Sequence, residues 1–465
     1  MTRARNVADI IKQPFTTTLG TSNYRAGVNA GNSITANTNY NVCIGDEAGT
    51  ALNGGDQNVL IGYLAGEDLV GGTNNVAVGD QAMKNEDGDG KNTAIGAQTL
   101  FSLNAGADSF NTAVGFQAGA GVSTGVENTL IGGLAGDALT DADFNVAVGS
   151  VALSADRKGN RSTAIGMGAL QNQNFASPTD SFNTAVGFQA GHDVSTGTGN
   201  TYLGSLAGDN SDDGANNVAV GYNAGGGNHG NNNVAVGEGA MVAGTGGTNT
   251  VVGSGACGGS FTASGTTAMG RSAGAGIAGG NNNICIGNAA DVAASGQVNG
   301  ICIGVGITAA ANDFTFGKNG ASATCDFDAD AVFTHSSDLR LKTNIADAVL
   351  GLAFVNDLRP VTYKWKAAAA LDANDAELAH LRKRDEDGNL INCKNTELTM
   401  HGLIAQEVKT ALDTAGVSRF KGWSEDQYGV QGISNEMYVI PLIKAVQELS
   451  TALDAALARI TTLEG

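Results

Sequence analysis

Sixteen times between residues 41 and 304 the chain returns to Asn-[Thr/Val]-Ala-[Ile/Val]-Gly or a close variant. The glycine falls at 45, 62, 79, 96, 115, 132, 149, 166, 187, 204, 221, 237, 253, 270, 287 and 304. Successive glycines lie 17 residues apart, except for 19 before Gly115, 21 before Gly187 and 16 before Gly237 and Gly253. A unit this short cannot bury a core unless its neighbours cover it, so the period is one coil of a stacked solenoid. A second period lies over the first. SFNTAVGFQAG occupies 109–119 and again 181–191, 72 residues or four coils apart, and each copy follows one of the longer gaps.

Within a coil, the residue before the glycine is Ile, Val, Leu or Met, the one two before is mostly Ala, and the one three before is Val, Thr or Ile. Alternation along a short strand places these on opposite faces, so both faces are apolar or small. A thin coil covers one face with its own interior; the other calls for further copies of the chain, most simply two around a threefold axis. Ala three after the glycine (Ala48, Ala118, Ala190) allows close approach of a second segment. Asn four before it suits a turn residue that stacks into a ladder between coils, with Ser162, Thr266 and Gly300 as replacements.

Composition agrees with a regular, uncharged rod: of 465 residues, 69 are Gly, 4 are Pro, and only 15% are charged. A net charge of −20 disfavours nucleic acid or an anionic membrane as partner. No apolar run reaches the ~20 residues of a membrane span, and the N-terminus has no signal-peptide pattern, so assembly in a cytoplasm is expected. Six scattered cysteines, none in a CxxC, give neither a metal framework nor a disulfide pattern. Cys43, Cys285 and Cys302 occupy the small position two before the glycine and read as packing. Charges of the rod concentrate in the variable turns. NEDGDGKN (85–92) lacks the distal glutamate of a calcium loop and reads as a solvated acidic turn. Tyr63, Phe116, Phe188, Tyr202 and Tyr222 read as packing between coils rather than as binding groups. No metal or cofactor is implied.

From Thr334 the chain changes character: both tryptophans, Trp365 and Trp423, lie beyond it, charges become common, and helical periodicity appears in IADAVLGLAFVNDL and LIAQEVKTALDTAG. A small α+β domain is expected, ending in a long helix. There Val439, Leu442, Val446, Leu449, Leu453, Ala456, Ile460 and Leu463 alternate at 3 and 4 residues, the seam of a coiled coil between chains.

Units such as NTAVGFQAG, NVAVGYNAG and NTAIGAQTL resemble the repeat heads of trimeric autotransporter adhesins and, more closely, the glycine-rich repeats of bacteriophage fibres. HSSDLRLKTNI, LRPVTYKW, HGLIAQEV and MYVIPLIKAVQEL, in that order, resemble the intramolecular chaperone autoprocessing domain (peptidase S74 type) of phage tail spikes and fibres. That resemblance implies a domain that assembles three chains, helps the preceding β-structure wind in register, and is then cut off by a serine and a lysine, here Ser337 and Lys342. The chemistry is coherent on its own terms. A lysine serves as base for a serine hydroxyl where desolvation or neighbouring cations disfavour its charged form, and Arg340 is close in sequence. Attack on the carbonyl before Ser337 would break the Ser336–Ser337 bond through an ester, with the bond on the other side of Ser337 as the runner-up. A serine-capped helix start with a solvated lysine is the alternative for the same residues.

The expectation is a mainly β protein: an attachment segment (1–40), a trimeric β-solenoid rod of about sixteen short coils (41–310), a connector (311–335), and a chaperone and autoprocessing domain (336–465) ending in a coiled-coil helix. A virion fibre fits this plan. Its partners would be two further copies, a phage tail or adaptor protein at the N-terminal segment, and a host-surface glycan or protein. A glycan depolymerase and a purely structural head or collar fibre are the alternatives; the first lacks an identifiable acid and base pair.

Overall fold

A computed structural model describes residues 20–464 apart from 89, 329–332, 335–338, 376, 385–387 and 393–395. Residues 1–19 of the segment expected to join a tail or adaptor protein lie outside the described residues. The chain divides into two compact units, 1–336 and 337–465.

The first unit is a solenoid. Its main sheet has twenty strands, of which the last two, Ala321–Asp326 and Phe333–Thr334, pair antiparallel, leaving eighteen parallel strands stacked one per coil. Most are three residues long and pair in strict register: Val42, Cys43 and Ile44 face Val59, Leu60 and Ile61, which face Val76, Ala77 and Val78. Eighteen exceeds the sixteen motif copies because Tyr24–Ala26 precedes them and Asp313–Lys318 follows, both without the motif's sequence. The insertions before Gly115 and Gly187 leave the ladder register intact: Ala94 still faces Ala113, and Ala164 faces Ala185.

In the sixteen motif strands the middle residue points inward and is buried, as at Cys43, Ala77 and Ala113. Ala three after the glycine (Ala48, Ala118, Ala190) and the apolar residue seven after it (Leu52, Leu69, Leu103, Val122) complete a continuous interior. Against it runs the expected asparagine ladder. Asn41 Oδ1 accepts the Asn58 backbone N–H at 2.9 Å, Asn58 Oδ1 accepts that of Asn75 at 2.9 Å, and Asn58 Nδ2 donates to the Gly72 carbonyl at 2.9 Å. Burying an amide side chain is tolerable because both ends are satisfied. Ser162, Thr266 and Gly300 still donate their N–H to the preceding asparagine.

The repeat glycine is required twice over. Gly132 has φ +139°, which L side chains rarely adopt, and a Cβ there would lie 2.4 Å from the carbonyl oxygen of Gly149 in the next coil. Stacking at this spacing therefore admits no side chain.

Two expectations need correction. The acidic turn at 85–92 is not wholly solvated, since Glu86 is fully buried at the position seven after the glycine, where Leu69 and Leu103 stand in the coils on either side. Asp156 is buried at the same position two coils after Val122, so rod charges are not confined to surface turns. Asp156 is accommodated by hydrogen bonds: Gln173 Nε2 donates to it at 2.6 Å, and the Gly159 N–H at 3.0 Å. Burial still pushes its carboxyl above the usual range. Gln173 also bridges the gap that Ser162 leaves in the ladder, donating to Ser162 Oγ and accepting from Asn183 Nδ2, both at 2.8 Å.

The second unit is small and mixed. Helix α1 (Leu352–Asp357), the hairpin-like pair Val361–Tyr363 and Met400–Gly402, helix α2 (Ala405–Thr414) and the pair Trp423–Glu425 and Gln431–Ile433 surround one core. Residues 345–351, expected to be helical, are not. Helix α3 (Val439–Glu464) closes the chain. Among the described residues no helix is long and apolar enough to cross a membrane.

Candidate functional site

The two residues expected to cleave the chain fare differently. Ser337, with the Ser336–Ser337 bond, lies outside the described residues. Lys342 follows a single 3-10 turn, Leu339–Leu341, donating its backbone N–H to the Leu339 carbonyl at 3.1 Å, and its side chain is exposed beside the equally exposed Arg340. The nucleophile and base are thus not brought together by any geometry among the described residues.

What the second unit builds is a firm base for α3. Leu350, Phe354, Val408, Ala411, Leu412 and Tyr438 are buried together, with Phe420 and Trp423 packed against them. Phe354 and Tyr438 stack with centroids 6.4 Å apart, and the Phe420 ring meets Tyr438 edge-on at 5.4 Å. Such pairs add to the gain from burial because ring quadrupoles favour these geometries. Tyr438 Oη donates to the Gly422 carbonyl at 3.0 Å, so the residue just before α3 is held at both ends.

Two contacts then join separate sequence blocks. Arg359 pairs with Glu407, its Nε donating to Oε2 at 3.1 Å, and this hydrogen bond holds the Glu407 carboxyl below its ordinary range. Glu448 on α3 accepts the N–H of Leu352 at 2.7 Å, capping the first turn of α1 from another helix. In this way α3 is tied to α1 near its start and is otherwise uncovered. Only Pro441 and Ala445 of its 26 residues are buried, while Val439, Leu442, Val446, Leu449, Leu453, Ile460 and Leu463 of the heptad seam are exposed. The seam does not pack on its own domain.

The solenoid has a matching feature. The outward residues of the ladder strands form a second apolar stripe, half-buried by their neighbours in the stack and exposed at Ile95, Ile131, Ile165, Leu203, Met269 and Ile303. The sequence reading that neither strand face meets water holds, within one chain, for the inner face alone.

The aromatic residues divide. Tyr202 is buried in the interior, but Tyr63, Phe116, Phe188 and Tyr222, each directly after a repeat glycine, are exposed on the surface of the stack. A further set was not singled out from sequence: Tyr40, Phe110, Phe144 and Phe182, exposed at the position just before the ladder asparagine. Its signal was available, because these residues recur five before the repeat glycine.

No group of three or more His, Cys, Asp or Glu among the described residues is placed to hold a metal ion. No curated protein matches the chain. Residues 337–417 match the family described as Chaperone of endosialidase (Peptidase_S74), a span that begins at Ser337 and ends just after α2. This segment is therefore similar to the chaperone-of-endosialidase family, and together with the solenoid it fits the plan of a phage tail fibre or spike with a C-terminal chaperone.

Proposed function

We propose that the protein is a host-attachment fibre of a phage virion, assembled as a parallel homotrimer. In this reading the expected segments 1–40, 41–310, 311–335 and 336–465 serve as attachment, rod, connector and trimerising domain, with the rod's stack extended to the coils at Tyr24–Ala26 and Asp313–Lys318, and residues 337–465 then release themselves. One observation carries the assembly: a single chain leaves two long apolar stripes uncovered, the outer strand face and the α3 seam. Soluble proteins rarely expose contiguous patches on that scale, and copies of the same chain cover both at once.

Self-cleavage follows assembly in this scheme. Ser337 Oγ attacks the Ser336 carbonyl, its proton passing to Lys342; the Ser336–Ser337 C–N bond breaks, leaving an ester that water hydrolyses. A lysine acts as base only when its surroundings disfavour the ammonium form, and Lys342 is exposed in the lone chain, so a neighbouring copy must cover it. Cutting then waits until the rod is wound.

Sedimentation of the purified protein tests the assembly: a trimer of the 46.6 kDa chain supports it, and a monomer overturns both the fibre and chaperone readings. Denaturing gels with N-terminal sequencing test the cleavage. Wild type should release the 129 residues from Ser337 to Gly465, beginning SDLRLK, whereas Ser337→Ala should give trimers of intact chains. Cleavage that survives in Ser337→Ala would remove this serine from the mechanism.

A further inference from the structure

We propose that the turn preceding the ladder strands from Lys91 to Phe182 is a docking row for an extended β-1,4-linked glycan. This rests on the reading of the rod as the host-binding part and names the ligand class.

The residue five before the repeat glycine is left-handed in every coil here: Lys91, Phe110, Glu127, Phe144, Arg161 and Phe182 have φ between 50° and 65°. Asparagine tolerates that conformation best and fills the same position at Asn74, Asn216, Asn232 and Asn282. A phenylalanine placed there bears backbone strain, and with 49%, 41% and 59% exposure the three rings recover little of it through burial. Neither packing nor backbone preference within the chain selects them.

The rings are also held. Lys91 Nζ lies 4.8 Å from the Phe110 centroid and pairs with Asp108. The Arg161 guanidinium lies 4.9 Å from the Phe144 centroid, and its Nε is 3.1 Å from Asp180 Oδ1. Asp108 and Asp180 are supplied by the two insertions, each in an Asp-Ser-Phe run. The serines anchor those runs: Ser109 Oγ donates to Asn92 Oδ1 and Ser181 Oγ to the Asn160 carbonyl, both at 2.9 Å. The 72-residue period thus repeats the cation–carboxylate pair, while the ring that the cation meets differs: Phe110 of the next coil for Lys91, Phe144 of the preceding coil for Arg161.

Spacing selects the ligand. Rings occupy every second coil, so successive rings stand about 10 Å apart at the strand spacing of a stacked ladder. A β-1,4-linked chain of glucose or N-acetylglucosamine turns over at each residue and presents the same sugar face at every second one, a repeat of similar length. Each apolar sugar face can lie on a ring, while Glu127, between Phe110 and Phe144, accepts from hydroxyls. Contact with another copy of the chain fits this row poorly. Lys91, Glu127 and Arg161 alternate with the rings and would be desolvated, whereas the neighbouring strand face carries no charge.

The test uses the full-length assembled protein with cellohexaose and chitohexaose in isothermal titration calorimetry. Wild type should bind at least one of them. Phe144→Ala should weaken binding about tenfold, or roughly 1.4 kcal/mol, and Phe188→Ala, an exposed ring outside the row, should leave it unchanged. Failure of assembled wild type to bind either sugar would overturn the proposal, as would equal losses in the two variants. A changed oligomer mass for Phe144→Ala would also overturn it, placing the row between copies. Wild type that binds a hexasaccharide but not host cells would sustain the row and sink the attachment reading.

Discussion

The solenoid and the C-terminal unit solve opposite problems. Each coil of the solenoid borrows its core from the coils on either side, and its buried asparagines, glycines and alanines meet their own kind in the next coil. Stability of such a stack is a sum of nearest-neighbour terms, and nothing local fixes where winding begins or in what register. The C-terminal unit has one compact core of six buried residues drawn from distant stretches, and a helix whose seam has no partner in the chain. The first covers its inner face once formed, leaves its outer strand face open, and is hard to start. The second builds a small base of its own and, in the proposed trimer, would be completed by other copies. A repetitive rod joined to a non-repetitive nucleus gains a defined starting point.

The strongest way to break this contrast is to remove the nucleus. Chains ending at Ser336 should give aggregated or unwound rod, because the entropy of bringing many coils into register on several chains is then unmet. Soluble, regularly wound material from that truncation, seen by electron microscopy and circular dichroism, would show that the solenoid starts itself.

Next in size are insults to the stack. Gly132→Ala and Ala113→Glu should each prevent assembly, the first by steric overlap with the next coil at a positive φ, the second by placing a charge in the fully buried interior, at a cost of several kcal/mol per chain. Ser123→Glu, at a turn, should be tolerated. Comparable soluble yields of Ala113→Glu and Ser123→Glu would mean the inner face is misassigned.

A smaller effect sharpens the picture of ladder repair. Gln173→Ala should destabilise its coils by about 2–3 kcal/mol, the worth of a hydrogen bond to a buried carboxylate. Replacing Asp156 and Gln173 together by leucine, the residue that Leu69, Leu103 and Leu139 place at this position, should recover much of it despite the gap at Ser162. Hydrogen exchange across residues 145–200 reads both outcomes; a double variant worse than the single would show that the polar pair is needed for the insertion.

A last effect is set by pH and is confined to acid. His229 is buried in the solenoid, and burial lowers its pKa from 6.5 to about 4. The unfolded chain binds the proton first, so the stabilisation present above pH 6.5 is lost progressively as pH falls towards 4. Exchange of amides near Gly225 and Gly244 should therefore quicken over that window. His229→Gln should abolish the change whatever it does to the baseline, and an unaltered pH profile in the variant would dissociate it from this histidine.

The sequence by itself determined the repeat, its glycine, its asparagine ladder and the seam of α3, because stacking makes each position meet its own copy and so leaves a period in the chain. It also marked where the C-terminal domain begins, in blocks whose charges could be seen but not paired. Tertiary structure alone decided that Arg359 meets Glu407 and Glu448 meets Leu352, since separations of 48 and 96 residues leave no periodic trace. It alone placed Glu86 and Asp156 inside and Phe110, Phe144 and Phe182 outside. Periodicity states which residues share an environment, but whether that environment is core or water depends on the path of the turn, which insertions change without altering the period.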